Sequence, residues 1–216
     1  MVSAKTGTPR RRRSTPSKGD LREQAILDAA EALLEHESVE SITVETIAKG
    51  AGISRASLYF YFGSKHEVLA ALVARTVAVL REDALGAAGD TGSAPADIIR
   101  EALRRTAKQW REHGLVMRAA VDFAPVIPEI GELWKETLGS YAEAMTQVLA
   151  RAGVPDVPGP VGAAALARGL CWMTERTFYW ASARPRDLRA ATDTCAEIWL
   201  RVIGSTPDQT TQAPAN

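Results

Sequence analysis

Residues 43–69 read TVETIAKGAGISRASLYFYFGSKHEVL. Tyr59, Phe60, Tyr61 and Phe62 are half of all the Phe and Tyr in 216 residues. Four aromatics in a row suit a strand buried on both faces better than a one-sided helix. Their surroundings argue otherwise. Thr43 can cap a short helix, with Glu45 in its first turn and Val44, Ile47, Ala48 and Ala51 as an apolar stripe ending near Gly50. Ser54 can cap a second helix of two turns, and Ser64-Lys65-His66-Glu67 has the spacing of a capping box opening a long third one. Between the two short helices, Gly52 permits the positive φ that a tight turn can require. Two short helices about such a turn make a helix-turn-helix, whose second helix enters the DNA major groove.

On that scaffold Leu58 and Phe62, at i and i+4, face inward with Ile53 and Ala51, while Arg55, Ser57, Tyr59 and Phe60 face the groove. A tyrosine hydroxyl can donate to a phosphate oxygen, and an apolar ring edge can touch a thymine methyl. Arg55 stands in the first turn, where it can read guanine, and Lys65 lies at a helix N-terminus that favours phosphate. Glu45 is the only acid between Ser41 and His66, against Lys49, Arg55 and Lys65. The candidate DNA-binding set is Thr43, Ser54, Arg55, Ser57, Tyr59, Phe60, Tyr61 and Lys65. A helical hairpin used only for packing would leave aromatics exposed beside cations without a motive.

Outward from this segment the periodicity stays helical. Ile26, Ala30, Leu33 and Leu34 define a first helix over about 21–37. Beyond a Gly-rich loop at 86–95, helical patterns run over about 96–112, 115–122, 126–152, 161–183 and 187–202, punctuated by prolines. No stretch alternates with period two. The expected fold is all-α with about nine helices: a disordered basic arm at 1–19, a three-helix head at 20–66, a helical effector-binding and dimerisation domain at 67–203 and a disordered tail at 204–216.

Composition adds bounds. With 46% apolar residues the chain can bury a sizeable core. The net charge is zero, but residues 1–19 carry Lys5, Arg10, Arg11, Arg12, Arg13 and Lys18 and no acid, leaving 20 basic against 26 acidic residues in the rest. That arm is either a solvated terminus or a strand laid along phosphates or a minor groove. The longest apolar run, Val68 to Leu80, contains Arg75 and falls short of the ~20 residues a membrane span needs. Arg10 to Arg13 precede no apolar stretch of an export signal. Cys171 and Cys195 lack CxxC spacing and suit buried thiols in a reducing cytoplasm. His36, His66 and His113 have no metal-ligand spacing, GxSxG is absent, and no catalytic residue, metal or cofactor is expected.

The segment 43–69 closely resembles the signature of the TetR family of bacterial transcriptional regulators. The resemblance implies two protomers paired through their last two helices and an effector held in the core of each C-terminal domain. A narrower resemblance, to a mycobacterial branch of that family, rests on EQAILDAAEALLE, GISRASLYFYFGSK, Glu132-Leu133-Trp134, Met173 to Thr177 and Ile198-Trp199. It implies an elongated apolar effector tunnel lined by aromatics. Positions that look important for polar effector contacts in that branch fall here on Cys171 and Thr174, and one aromatic position falls on Thr106, so effector identity does not carry over.

Trp110, Trp134, Trp172, Trp180 and Trp199 all lie beyond residue 100, as plain core or as cavity wall. The candidate ligand-binding set is Met117, Trp134, Tyr141, Thr174, Glu175, Tyr179 and Trp199. Glu175 is either paired with Arg176 or Arg168 or a polar anchor for an amphipathic ligand. Ala164, Ala165, Ala167 and Gly169, with Ala190, Ala191, Thr194, Ile198 and Val202, suit close helix packing, either inside the protomer or across a homodimer. The expected function is a cytoplasmic, dimeric repressor that binds a palindromic double-stranded DNA operator and is released by a small apolar or amphipathic effector. The rival is a helical small-molecule binding protein, or an enzyme, with a vestigial DNA-binding domain.

Overall fold

The computed structural model describes residues 17–204. Among the described residues there are nine helices and no strand: α1 (Lys18–Leu34), α2 (Val44–Gly50), α3 (Arg55–Tyr61), α4 (Lys65–Gly89), α5 (Pro95–Glu112), α6 (Gly114–Phe123), α7 (Pro128–Arg151), α8 (Ala163–Ala181) and α9 (Pro185–Gly204). The basic run at 10–13 and the polar tail after Gly204 lie outside the described residues.

Side-chain caps set several boundaries. Helix α1 begins at Lys18, three residues ahead of the expected start, because Ser17 and Asp20 form a reciprocal capping box. Residues 17–19 are therefore part of α1 and its cap rather than of an arm. Thr43 accepts from the Thr46 N–H and Thr46 returns the bond to the Thr43 N–H, a second box opening α2. Ser54 accepts from the Ser57 N–H at 3.1 Å. The box expected at Ser64 is shifted by one residue: Ser64 accepts from the Glu67 N–H, but the Glu67 carboxylate accepts from Gly63 at 2.8 Å.

The head is a small three-helix unit. Ile26, Ala30, Ile42, Ile47 and Leu58 are fully buried in it, and Phe62 closes it. Gly52, at φ 65°, makes the turn between α2 and α3, and its backbone lies where a side chain would be strained. Val68, Leu69 and Leu72 of α4 carry the same core into the body without a break. In the body α4 packs mainly on α7, α7 on α8, and α5 on α9.

Helix α4 joins both parts. Its 25 residues span ~37 Å. At its far end Arg151, the last residue of α7, donates to the carbonyls of Ala88 at 2.8 Å, Ala87 at 3.2 Å and Asp90 at 3.1 Å. These bonds occupy carbonyls at the α4 C-terminus that no helical N–H reaches.

Candidate nucleic-acid interface and internal cavity

Helix α3 turns Leu58 into the head and leaves the rest of its surface open. Phe60 is 84% exposed, and Thr43, Ser54, Arg55, Ser57 and Tyr59 are exposed around it. The Arg55 guanidinium donates to the Tyr59 hydroxyl at 3.1 Å, one turn along the helix, and lies 5.5 Å from that ring's centre. Pairing between i and i+4 holds the cation along α3 before anything binds. Tyr61 is half-buried, with its ring edge-on to Phe60. These seven residues lie on α3 or at the N-caps of α2 and α3.

Lys65 does not present its charge there. Its ammonium donates to the carbonyls of Ile42 at 2.9 Å, Glu40 at 3.0 Å and Val39 at 3.1 Å, so all three N–H groups are engaged. Without DNA, these three carbonyls stand where a phosphate partner was expected. The α1–α2 loop turns three carbonyls toward one point, and the compact ammonium at the start of α4 has three donors to serve them. Spacing along the chain could not show this, because the partners lie 23 to 26 residues away.

A chain of charged groups links the head to the body. Arg75 of α4 binds Asp28 at 2.6 Å and Glu31 at 2.7 Å, both on α1. The other oxygen of Glu31 lies 2.7 Å from His113 Nδ1, at the corner between α5 and α6. Trp110 and Met117 flank that corner in sequence and line the cavity described next.

Helices α4 to α9 enclose an apolar cavity of about 60 Å³. Met117, Trp134, Tyr141, Thr174, Glu175 and Trp199 line it, six of the seven expected residues. Leu80 of α4, Trp110 of α5 and Cys171 of α8 are among the further wall residues outside the expected set. Leu80 closes the long apolar run of α4, and Trp110 stands edge-on to Trp134 at 6.3 Å between ring centres. Both carried a detectable sequence cue, an apolar stripe and a large ring.

Tyr179 does not reach the cavity. Its hydroxyl donates to Asp122 of α6 at 2.6 Å, and its ring lies under the guanidinium groups of Arg118 at 4.4 Å and Arg176 at 5.0 Å. It shares the inward face with Cys171, Thr174 and Glu175, but near the end of α8 that face meets α6, and the phenol is used in packing there.

Polar atoms in the wall mostly satisfy one another. The Trp199 indole donates to Thr174 at 3.0 Å. Tyr141 and Thr106 lie 3.1 Å apart, and since Thr106 donates to the Ala102 carbonyl, Tyr141 is the donor of the pair. Burial pushes the Tyr141 hydroxyl and the Cys171 thiol each up to about 12, so both are neutral. A thiol held neutral is neither nucleophile nor metal ligand. Burial also raises the Glu175 carboxyl, against a smaller opposing effect of Arg176.

The outer surface of α8 and α9 exposes large apolar and small side chains among its charged ones. Trp172 is 62% and Trp180 68% exposed, so neither is core, and neither lines the α4–α9 cavity. Ala164, Ala165 and Gly169 of α8 and Ala190, Thr194 and Ile198 of α9 are also exposed, and Ala191 and Val202 are half-buried. Ala167 turns the other way and is fully buried. Among the described residues no helix is long and apolar enough to cross a membrane.

Residues 26–72 match the family model of bacterial regulatory proteins of the tetR family, and residues 99–205 that of the C-terminal domain of the transcriptional regulator EthR. The chain is 35% identical to the HTH-type transcriptional regulator EthR of Mycolicibacterium smegmatis, over 95% of this chain and 96% of that protein. It is equally similar, at 35% over 94% of this chain and 96% of the other, to EthR of Mycobacterium tuberculosis. Among solved structures, SmeT, the repressor of the Stenotrophomonas maltophilia multidrug efflux pump SmeDEF, superposes with a TM-score of 0.67 at 24% identity, over 86% of this chain and 96% of that one.

Proposed function

Because this chain belongs to the TetR family of helix-turn-helix transcriptional regulators, we propose that it is a homodimeric repressor that holds a palindromic operator until an elongated, largely apolar effector enters the α4–α9 cavity. Its relatives are named as transcriptional regulators rather than enzymes. The observation that carries the reading is that one helix serves both sites. Lys65, at the start of α4, fastens the head, and Leu80 of the same helix lines the cavity ~22 Å further along.

Residues 20–66 act as the DNA-reading head and residues 67–203 as the effector and dimer unit. Arg55 reads a base, Thr43, Ser54, Ser57 and Tyr61 contact phosphates, and Tyr59 and Phe60 lie against sugar and base edges. Two protomers pair through the small residues, Trp172 and Ile198 of the α8–α9 surface, which gives two α3 helices related by two-fold symmetry.

Release follows from volume. A cavity of about 60 Å³ is far below the ~300–1,000 Å³ of a usual ligand site, so an effector fits only if the walls part. Leu80 makes α4 one of those walls. Displacing α4 and the α5–α6 corner disturbs the bonds of Arg75 and His113 to α1, and the heads change their separation. To take DNA occupancy from ~99% to ~1% the effector must favour the released form by ~5.5 kcal/mol.

The test is a footprint on the DNA adjoining the gene, followed by titration with apolar compounds. Specific protection lost in the same concentration range in which a compound raises Tm and perturbs tryptophan fluorescence is the expected result. A compound that binds the cavity without shifting DNA affinity would overturn the coupling.

A further inference from the structure

Glu175 is the exception in a cavity whose hydroxyls are engaged. Thr106, Thr137, Tyr141 and Thr174 each have a hydrogen-bond partner within the protein. The Glu175 side chain is only 11% exposed, and its Oε1 is buried without a partner. Its Oε2 lies 3.8 Å from Arg176 Nε, too far for a hydrogen bond, and that guanidinium is half-exposed and lies over the Tyr179 ring. No lysine, arginine or second acid lines the cavity. The wall therefore offers one buried carboxylate oxygen that receives no donor, no internal cation to neutralise it, and several aromatic rings.

We propose that the effector is an organic amine, a protonated nitrogen at one end of an elongated apolar body, with the Glu175 carboxylate as the group that selects it. The proposal rests on the reading of the cavity as the effector site. A neutral hydroxyl would satisfy Oε1 as a donor but leave the buried charge. An ammonium does both, and a charge-assisted hydrogen bond is stronger than a neutral one. Trp110, Trp134 and Trp199 share the lining with Glu175, and aromatic rings attract a cation rather than an anion. An anionic head group meets a like charge instead. A single carboxylate among apolar walls offers too few oxygens to hold a bare metal ion.

The test uses three probes of one skeleton, 4-phenylbutylamine, 4-phenylbutan-1-ol and 4-phenylbutanoate, titrated calorimetrically into the full chain without DNA. The amine should bind ~5–10-fold more tightly than the alcohol, the difference between a charged and a neutral hydrogen bond, and the carboxylate most weakly. Glu175→Gln should bring amine and alcohol to equal affinity, and Glu175→Asp should keep part of the preference, with circular dichroism confirming the fold of each. Equal binding of amine and alcohol to the unsubstituted chain, an amine preference that survives in Glu175→Gln, or no binding of any probe would overturn the proposal. Operator release is measured separately. An amine bound with this preference that leaves DNA in place would overturn the regulatory reading and not the role of Glu175; release by the alcohol as readily as by the amine would do the reverse.

Discussion

Replacing Lys65 by Met keeps the aliphatic stem and removes the ammonium that gathers the carbonyls of Val39, Glu40 and Ile42. Hydrogen bonds to a charged group contribute ~1.5–3 kcal/mol each, but the three share one ammonium charge, and water can reach the exposed carbonyl of Glu40. A combined loss of ~2–4 kcal/mol follows. In a protein of this size each kcal/mol moves Tm by ~2–4 °C, so Tm at fixed protein concentration should fall by ~4–16 °C. Lys65→Arg should recover little of this, because a planar guanidinium cannot converge on three carbonyls as an ammonium does. Operator affinity should fall as the α1–α2 loop loosens. Anisotropy titrations over a range of salt separate that cause from loss of a phosphate contact. A lost contact makes the slope of log K against log[salt] shallower by ~0.9, whereas a loosened loop leaves it unchanged. A Tm within a degree of the unsubstituted protein, together with the shallower slope, would refute the clamp and return Lys65 to the DNA.

Arg55→Ala should cost ~1–3 kcal/mol at one base position and flatten preference there in a binding selection, with little effect on Tm because the residue is exposed. Ile198→Glu places a charge on the α8–α9 surface and should shift sedimentation toward the monomer while the protomer stays folded. Glu175 gives a pH dependence. Burial raises its folded pKa above the ordinary 4.5, so the folded chain holds the proton longer than the unfolded one, and stability falls as pH rises from about 4.5 through the raised value. Glu175→Gln should therefore raise Tm at neutral pH, with the gain vanishing as pH falls toward 4.5 in thermal melts of the ligand-free protein.

Local features were the ones the sequence displayed. Thr43 and Ser54 act on N–H groups three residues away, and Leu58 and Phe62 obey the helical period, so caps and buried face could be read directly. The family signature covers this same local stretch. Features that depend on distant partners were hidden. Lys65 meets carbonyls in another loop, and Tyr179 turns from the cavity because α6 supplies Asp122 and Arg118. Trp172 and Trp180 lie outside because α8 has more faces than its neighbours cover, which depends on how the helices assemble. Shifts of a residue or three at Ser17 and Gly63 arose where an acidic side chain, Asp20 or Glu67, took a backbone N–H ahead of the expected boundary.

Helix α4 is held near both ends by a cation that donates to three carbonyls: Lys65 to the loop before α2, and Arg151 to Ala87 and Ala88 in the last turn of α4 and to Asp90 just beyond it. A rod pinned in this way cannot slide along its axis without breaking one set of bonds. Pressure applied at Leu80, between the pins, can only make it pivot or bow. Small sideways displacements at the cavity are then delivered to the head as rotation, with the lever arm set by the number of turns between Leu80 and Lys65. Inserting or deleting one residue in that interval would turn the head by ~100° relative to the cavity wall, whereas seven residues, close to two whole turns, would nearly preserve its bearing while changing its reach.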